Sequence, residues 1–131
     1  MKTITRTLYA LVFGWLLAAC AGAPPEEGKT VDQLLAEKNL RIVEEMNQLV
    51  NFNIRGFLYV NRENVVLQDG PRDYLVELGA PCPNLEFANT IAFTSTGRVV
   101  RAFDRILVRD APGRVERCVI KAIYRLEKTG D

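Results

Sequence analysis

Residues 54–78 read IRGFLYVNRENVVLQDGPRDYLVEL, and this stretch decides the fold class. Three short runs rich in β-branched and aromatic residues, at 54–60, 64–68 and 74–78, are separated by the turn-like triplets Asn-Arg-Glu and Asp-Gly-Pro. Short runs of this composition, bounded by turn residues, are typical of β-strands. The stretch therefore predicts three consecutive strands joined by tight turns.

The chain continues in the same way toward its C terminus. Further strands are predicted at 90–94, 99–109 and 116–127, with turns at Thr96-Gly97 and at 111–113. The sequence Pro-Cys-Pro at 81–83 predicts a rigid break, followed by one helical turn at 84–88. Closely spaced strands joined by turns favour an antiparallel sheet rolled into a small barrel.

An amphipathic helix is predicted ahead of the strands, over residues 31–48. Thr30 can cap its first turn, and Gln33 occupies the position where a capping box requires Glu or Gln. Near one face of such a helix lie the apolar residues Val31, Leu35, Ile42, Met46 and Leu49. The fold class expected from the sequence is α+β, with this helix packed on the barrel-like sheet.

The N terminus has the three parts of a secretory signal: positive charge at Lys2 and Arg6, an apolar run at 8–16, and small residues before Cys20. Leu17-Ala18-Ala19-Cys20 resembles the lipobox of bacterial lipoproteins, in which the cysteine receives a diacylglyceryl group and becomes the mature N terminus. The alternatives are an ordinary secretory signal with an incidental cysteine, or a buried apolar helix. Because Ala21 rather than Asp follows Cys20, the resemblance implies an outer-membrane anchor facing the periplasm.

These observations divide the chain into three parts. Residues 1–19 are expected to be a lipoprotein signal peptide, 20–29 a lipidated cysteine and flexible tether, and 30–131 a single globular domain. The formal net charge is +1, and removing Lys2 and Arg6 with the leader gives a mature charge of about −1 (+1 minus 2). This balance does not indicate a nucleic-acid partner.

Once Cys20 is assigned to lipid, Cys82 and Cys118 remain as an even pair in an oxidising compartment, which predicts a disulfide bond. The alternation of the last strand places Cys118 on the same side as Ile120, Ala122, Tyr124 and Leu126, which predicts that it points into the core. A redox pair is disfavoured because there is no Cys-x-x-Cys motif, and a metal site because two thiols without histidine are a poor ligand set.

The chain contains no histidine, which excludes Ser-His-Asp and Cys-His catalysis. Four carboxylates are candidates for glycosidic hydrolysis by residue type alone, namely Asp69, Asp73, Glu77 and Asp104. Their spacing singles out no pair, so the expectation is that the protein is not an enzyme and uses no cofactor or metal.

Six basic residues share one face of the last two predicted strands: Arg101, Arg105, Arg109, Arg117, Lys121 and Arg125, with Phe103 and Leu107 between them. A hairpin centred on Gly113 would place Arg109 opposite Arg117, Arg105 opposite Lys121, and Arg101 opposite Arg125. Like charges opposite one another destabilise a sheet. An anionic glycan or lipid could offset the repulsion, and so could internal pairing with Glu37, Glu44, Glu45, Asp104, Asp110 or Glu116. A register shift of one residue would remove the row altogether.

From Tyr74 onward the chain resembles a family of small Gram-negative lipoproteins that is known only as a domain of unknown function. The resemblance rests on Tyr74-Leu75-Val76-Glu77-Leu78, on Cys82-Pro83-Asn84-Leu85 and on Arg117-Cys118-Val119-Ile120. It implies an envelope location and the pairing of Cys82 with Cys118, and it implies no activity.

The expected function is that of a non-enzymatic, membrane-anchored envelope lipoprotein that contacts another envelope component, which could be a protein, an anionic glycan or a lipid. One alternative is a small barrel inhibitor that inserts the segment 69–73 into a hydrolase, which rests on architecture alone. The other is a carboxylate-based hydrolase, which would need two acids about 5–10 Å apart in one pocket.

Overall fold

A computed structural model describes residues 28–50, 52–95 and 97–130 of the chain. The predicted signal peptide, Cys20 and most of the tether lie outside the described residues. The helix α1 spans Val31–Glu37, and a 3-10 helix spans Pro83–Phe87. The strands are β1 (Leu40–Met46), β2 (Gln48–Val50), β3 (Gly56–Asn61), β4 (Asn64–Asp69), β5 (Arg72–Leu78), β6 (Ala88–Phe93), β7 (Val99–Arg101), β8 (Arg105–Asp110) and β9 (Val115–Lys128). Among the described residues, no helix is long and apolar enough to cross a lipid bilayer.

The strands form a nearly closed, antiparallel, barrel-like sheet, as the sequence predicts. Its strand order is β3-β4-β5-β9-β8-β6, with β1 also pairing with β9, while β2 and β7 form a separate pair. The 14-residue strand β9 organises the sheet, because its first part pairs with β8 and its second part pairs with both β5 and β1. The tight turns predicted around 61–63 and 69–71 join β3 to β4 and β4 to β5.

A β-bulge at Lys121 changes which side chains of β9 enter the barrel. Leu78 lies opposite Ile120 but Glu77 lies opposite Ala122, so Lys121 is an extra residue on β9. A bulge of this kind interrupts the two-residue alternation of side chains. The prediction that Tyr124 and Leu126 share the side of Cys118 is therefore wrong: both belong to a second cluster outside the barrel.

The buried residues consequently form two cores on opposite faces of the sheet. The cluster inside the barrel includes Val65, Leu67, Val76, Ile106, Val108, Cys118, Ile120 and Ile123. The outer cluster includes Leu35, Leu40, Val60, Val66, Leu75 and Leu126. Leu35 comes from α1, so this short helix is held on the outside of the sheet by apolar burial.

The helix is much shorter than the predicted 31–48. Its N terminus is as expected, because Thr30 Oγ1 accepts from the N–H of Gln33 while the Gln33 side chain accepts from the N–H of Thr30. It ends at Glu37 because Asn39 adopts the left-handed conformation (φ 57°), after which residues 40–46 pair with β9. The apolar residues assigned to one helical face thus belong to a helix and to strands β1 and β2.

Candidate functional site

The predicted disulfide is present between Cys82 and Cys118, whose Cα atoms are 6.1 Å apart. It connects the segment before the 3-10 helix to the first part of β9, and both cysteines are buried in the barrel core. The N–H of Cys82 also donates to the carbonyl oxygen of Arg62 at 2.7 Å. The link therefore fixes the chain between β5 and β6 against the sheet.

A carboxylate lies beside this disulfide, because an oxygen of Glu116 and the two sulfur atoms are within 4.8 Å of one another. Glu116 Oε2 accepts from the N–H of Asn84 at 3.0 Å. It thereby satisfies a donor in the first turn of the 3-10 helix, where Cys82 provides no side-chain cap. With the sulfurs bonded to each other, the arrangement lacks the thiolates that metal binding requires.

The hairpin that carries the predicted basic row is centred on Pro112 and not on Gly113. The buried carboxylate of Asp110 accepts from the backbone N–H and from Nε of Arg114, both at 2.9 Å, which closes the turn at these two residues. The predicted opposition of Arg109 with Arg117 and of Arg105 with Lys121 is therefore wrong. In the observed register each arginine faces an apolar residue: Arg109–Val115, Arg117–Leu107 and Arg105–Val119.

The opposition of Arg101 and Arg125 is also wrong, because the two residues lie in different sheets. Arg101 is on β7, where its Nε donates to Gln48 Oε1 at 3.0 Å. Arg125 is on β9, opposite Glu44 of β1, and it binds Glu44 at 2.9 Å and Glu127 at 3.3 Å. The hydrogen bond to Glu44 raises the pKa of Arg125. The side chains of Arg101 and Arg125 therefore both have polar partners within the chain.

Lys121 is also paired internally, since its Nζ lies 3.4 Å from Glu77 Oε1. Glu77 accepts in addition from the hydroxyl of Tyr124 at 3.0 Å. Burial, followed by this hydrogen bond, raises the pKa of Tyr124 to about 12. Half of the predicted basic row, namely Arg101, Lys121 and Arg125, is thus neutralised or hydrogen-bonded internally.

The other half remains exposed on the outside of the barrel. Within the described residues, the side chains of Arg105, Arg109 and Arg117 have no carboxylate partner. They point outward because the alternate residues of β8 and β9, such as Ile106, Val108 and Cys118, fill the barrel. We call this surface the arginine face; it consists of Arg105, Arg109 and Arg117 together with Leu107, Val115 and Val119.

An exposed phenylalanine, Phe103, lies two residues before Arg105 of the arginine face. The sequence predicts one strand over 99–109, but Ala102 and Phe103 form a turn that separates β7 from β8. The N–H of Asp104 bonds to the carbonyl of Arg101, and Phe103 has a left-handed backbone (φ 74°). The residue is 84% exposed. A turn of this geometry favours glycine or asparagine at that position, so no signal in the sequence identified it.

The four carboxylates considered for catalysis have different surroundings. Asp69 accepts a hydrogen bond from the N–H of Asn53 at 3.0 Å, and Asp104 accepts one from the N–H of Arg101 at 2.8 Å. Glu77 pairs with Lys121. Asp73 is buried and lines a pocket of about 370 Å³ near the end of β9. Of these four carboxylates, only Asp73 lines this pocket, and none of them lines the pocket beside α1.

The larger pocket, of about 770 Å³, lies between α1, the β3–β4 turn and the 3-10 helix. Tyr59, Arg62, Glu63 and Glu86 are part of its lining. Burial, followed by the negative charge of Glu86, raises the pKa of the Tyr59 phenol. The pocket presents charges of both signs.

The segment 69–73, considered as an inhibitory loop, is a short hairpin turn. Only Gly70 and Pro71 lie between the end of β4 at Asp69 and the start of β5 at Arg72. Gly70 adopts the left-handed conformation (φ 60°) that the turn requires. The segment offers no extended loop of the kind that fills a cleft.

The comparisons with known proteins identify a family but no activity. Residues 1–130 match the sequence model of a family described as "Family of unknown function (DUF6491)". Neither a curated protein nor a solved structure matches the chain significantly. Because the match extends over nearly all 131 residues, the chain belongs to this family of unknown function.

Proposed function

We propose that the protein is a non-enzymatic lipoprotein, anchored in the outer membrane through Cys20 and facing the periplasm, whose arginine face contacts anionic groups of another envelope component. The observation that carries the contact is the set of three outward-facing arginines on one sheet surface, which have no carboxylate partner in the described part of the chain. The leader residues 1–19 and the cysteine that follows them support the location.

Physical chemistry favours an anion as the group that meets this face. A guanidinium group binds a phosphate or carboxylate through two parallel hydrogen bonds. Arg117 lies diagonally across the hairpin from both Arg105 and Arg109, so the three charges are close neighbours on one surface. An anionic ligand relieves their mutual repulsion, which the alternation with Leu107, Val115 and Val119 reduces only in part.

The test is a comparison of two triple variants that remove the same charge from different surfaces. The first replaces Arg105, Arg109 and Arg117 with Gln, and the second replaces Arg55, Arg62 and Arg72 with Gln, since these are also exposed but belong to the β3–β5 side. Heparin serves as a soluble anionic probe, and binding is measured by isothermal titration over a series of salt concentrations.

Each basic residue near an anionic surface contributes about 1 kcal/mol, so the first variant should bind about 100-fold more weakly than the wild type. The second variant should retain most of the binding, and wild-type affinity should fall as salt screens the charges. Equal losses in the two triple variants, or binding that is insensitive to salt, would contradict the proposal.

A further inference from the structure

We infer that the arginine face docks on an anionic lipid bilayer, with the Phe103 ring inserted among the headgroups. This inference rests on the proposed function and names the anion as lipid phosphate. It also assigns a role to Phe103, which the proposed contact between the arginines and an anion does not require.

Packing within the fold does not explain why residue 103 is aromatic. The residue is 84% exposed, so the ring contributes little to either core cluster. Its left-handed backbone (φ 74°) is unfavourable for most side chains and favours glycine or asparagine. The turn is held by backbone contacts, since the N–H of Phe103 donates to the carbonyl of Ile120 at 2.8 Å. A large apolar ring is therefore exposed on a turn that backbone hydrogen bonds hold.

The rest of the surface has the mixed character that a membrane interface requires. Val115 and Val119 are 50% and 40% exposed, and they alternate with the arginines across the hairpin. Lipid phosphates would meet the guanidinium groups, while the boundary between headgroups and acyl chains accepts aliphatic and aromatic side chains. A soluble acidic glycan would meet the arginines equally well, but it would leave the two valines in water. The observations favour the bilayer.

The anchor would bring this surface within reach of the bilayer. The nine residues 20–28 can span at most about 30 Å, which is close to the diameter of a small domain. The helix that follows contacts β1 and β3 and belongs to the outer cluster that also contains Leu126 of β9. The arginine face lies on the outer surface of the same strand β9, at Arg117 and Val119. Docking would thus be an intramolecular step at high effective concentration.

A single tryptophan placed at position 103 tests the inference in the mature, lipidated protein. The only tryptophan of the sequence, Trp15, lies in the proposed leader that is removed before Cys20, so Phe103→Trp alone gives one reporter. The protein is reconstituted through its own anchor into vesicles of brominated phosphatidylcholine, with or without brominated phosphatidylglycerol. The matched control carries Phe87→Trp instead, because Phe87 is 68% exposed and lies at the opposite end of the β6–β8 ladder.

The expected result is a blue shift and strong quenching of the position-103 reporter in the vesicles that contain phosphatidylglycerol, and neither change in phosphatidylcholine alone. The position-87 reporter should stay water-exposed in both. Replacing Arg105, Arg109 and Arg117 with Gln in the protein that carries Phe103→Trp should reduce the docking equilibrium constant about 100-fold and abolish the quenching.

Two results would overturn the inference: emission of the position-103 reporter that is the same in both vesicle types, or equal quenching of the two reporters. If the position-103 reporter is not quenched and the same protein still binds heparin through the three arginines, the bilayer role fails while the proposed anionic contact stands. If heparin binding is also absent, both fail.

Discussion

Removing the disulfide gives a prediction whose size follows from the structure. Cys82 and Cys118 are separated by 36 positions, and closing a loop of this length restricts the unfolded chain by about 4 kcal/mol. Both residues are buried in the barrel cluster, so alanine is the appropriate replacement because a serine would bury an additional hydroxyl group. The double variant Cys82→Ala/Cys118→Ala should lose about 3–4 kcal/mol of unfolding free energy, a large part of the roughly 5–15 kcal/mol typical of a domain.

Equilibrium urea denaturation, followed by circular dichroism, measures this loss. The midpoint should fall strongly, and the wild type in the presence of a thiol reductant should reproduce the variant. The signal of the folded double variant should still report a β-rich protein, because the strand pairs of β8 and β9 do not depend on the link. A loss below about 1 kcal/mol, in the variant and in the reduced wild type, would refute the loop-closure argument.

Three further predictions concern the cores, the pH dependence and the exposed turn. Leu75→Ala should cost about 2–5 kcal/mol in urea denaturation because Leu75 is buried in the outer cluster, whereas Val119→Ala on the arginine face should cost less than about 1 kcal/mol; similar losses would contradict the two-core description. The pKa of Tyr124 is about 12 in the folded protein, against an ordinary 10.0. Its contribution to the free energy of unfolding is therefore complete below about pH 10 and is lost as the pH rises through 12. Because Tyr124 is partly exposed, the full effect of the pKa shift is reduced, and the wild type should lose about 1–2 kcal/mol more unfolding free energy than Tyr124→Phe between these pH values. Equal losses for the two proteins in alkaline denaturation would exclude this contribution of Tyr124. Phe103→Asn should change the unfolding free energy by no more than about 1 kcal/mol, since relief of the left-handed strain offsets the little packing that the exposed ring provides; a larger decrease would show that the ring supports the fold.

The strands were predictable because their signal is local. The runs at 54–60, 64–68 and 74–78 are bounded by turn residues on both sides, and each corresponds to an observed strand. The end of the helix was not predictable in this way. Ile42 and Met46 are spaced four residues apart, which suits a helical face, but the bulge in β1 places Ile42 against the outer cluster and Met46 against the barrel cluster.

The predicted basic row shows why register cannot be taken from alternation alone. The alternation correctly placed Arg105, Arg109 and Arg117 on one outer surface, but the pairing depended on where the turn closes. That point is determined by the buried Asp110 carboxylate, which binds Arg114, and no local pattern distinguishes this aspartate from an exposed one. The bulge at Lys121 similarly arises from pairing with β5, which is distant in sequence.

The candidate site was predictable only in part for the same reason. Charge could be assigned to a surface, and Glu44, which pairs with Arg125, was among the internal partners considered from the sequence. The partners Gln48 and Glu77 were not, because they come from strands that the sequence did not place beside the basic residues. Phe103 was expected within a strand, because nothing in its neighbourhood indicates a left-handed backbone. Tertiary contacts therefore decided which basic residues remain available for a ligand.

The proposed lipid anchor can be checked by the intact mass of the protein purified from its native membrane. An envelope lipoprotein should begin at Cys20, carry the mass of a diacylglyceryl modification on that residue, and lack two hydrogens because Cys82 and Cys118 are joined. A mass equal to that of the uncleaved chain without lipid, with all three thiols free, would contradict the anchor, the location and the bilayer contact together.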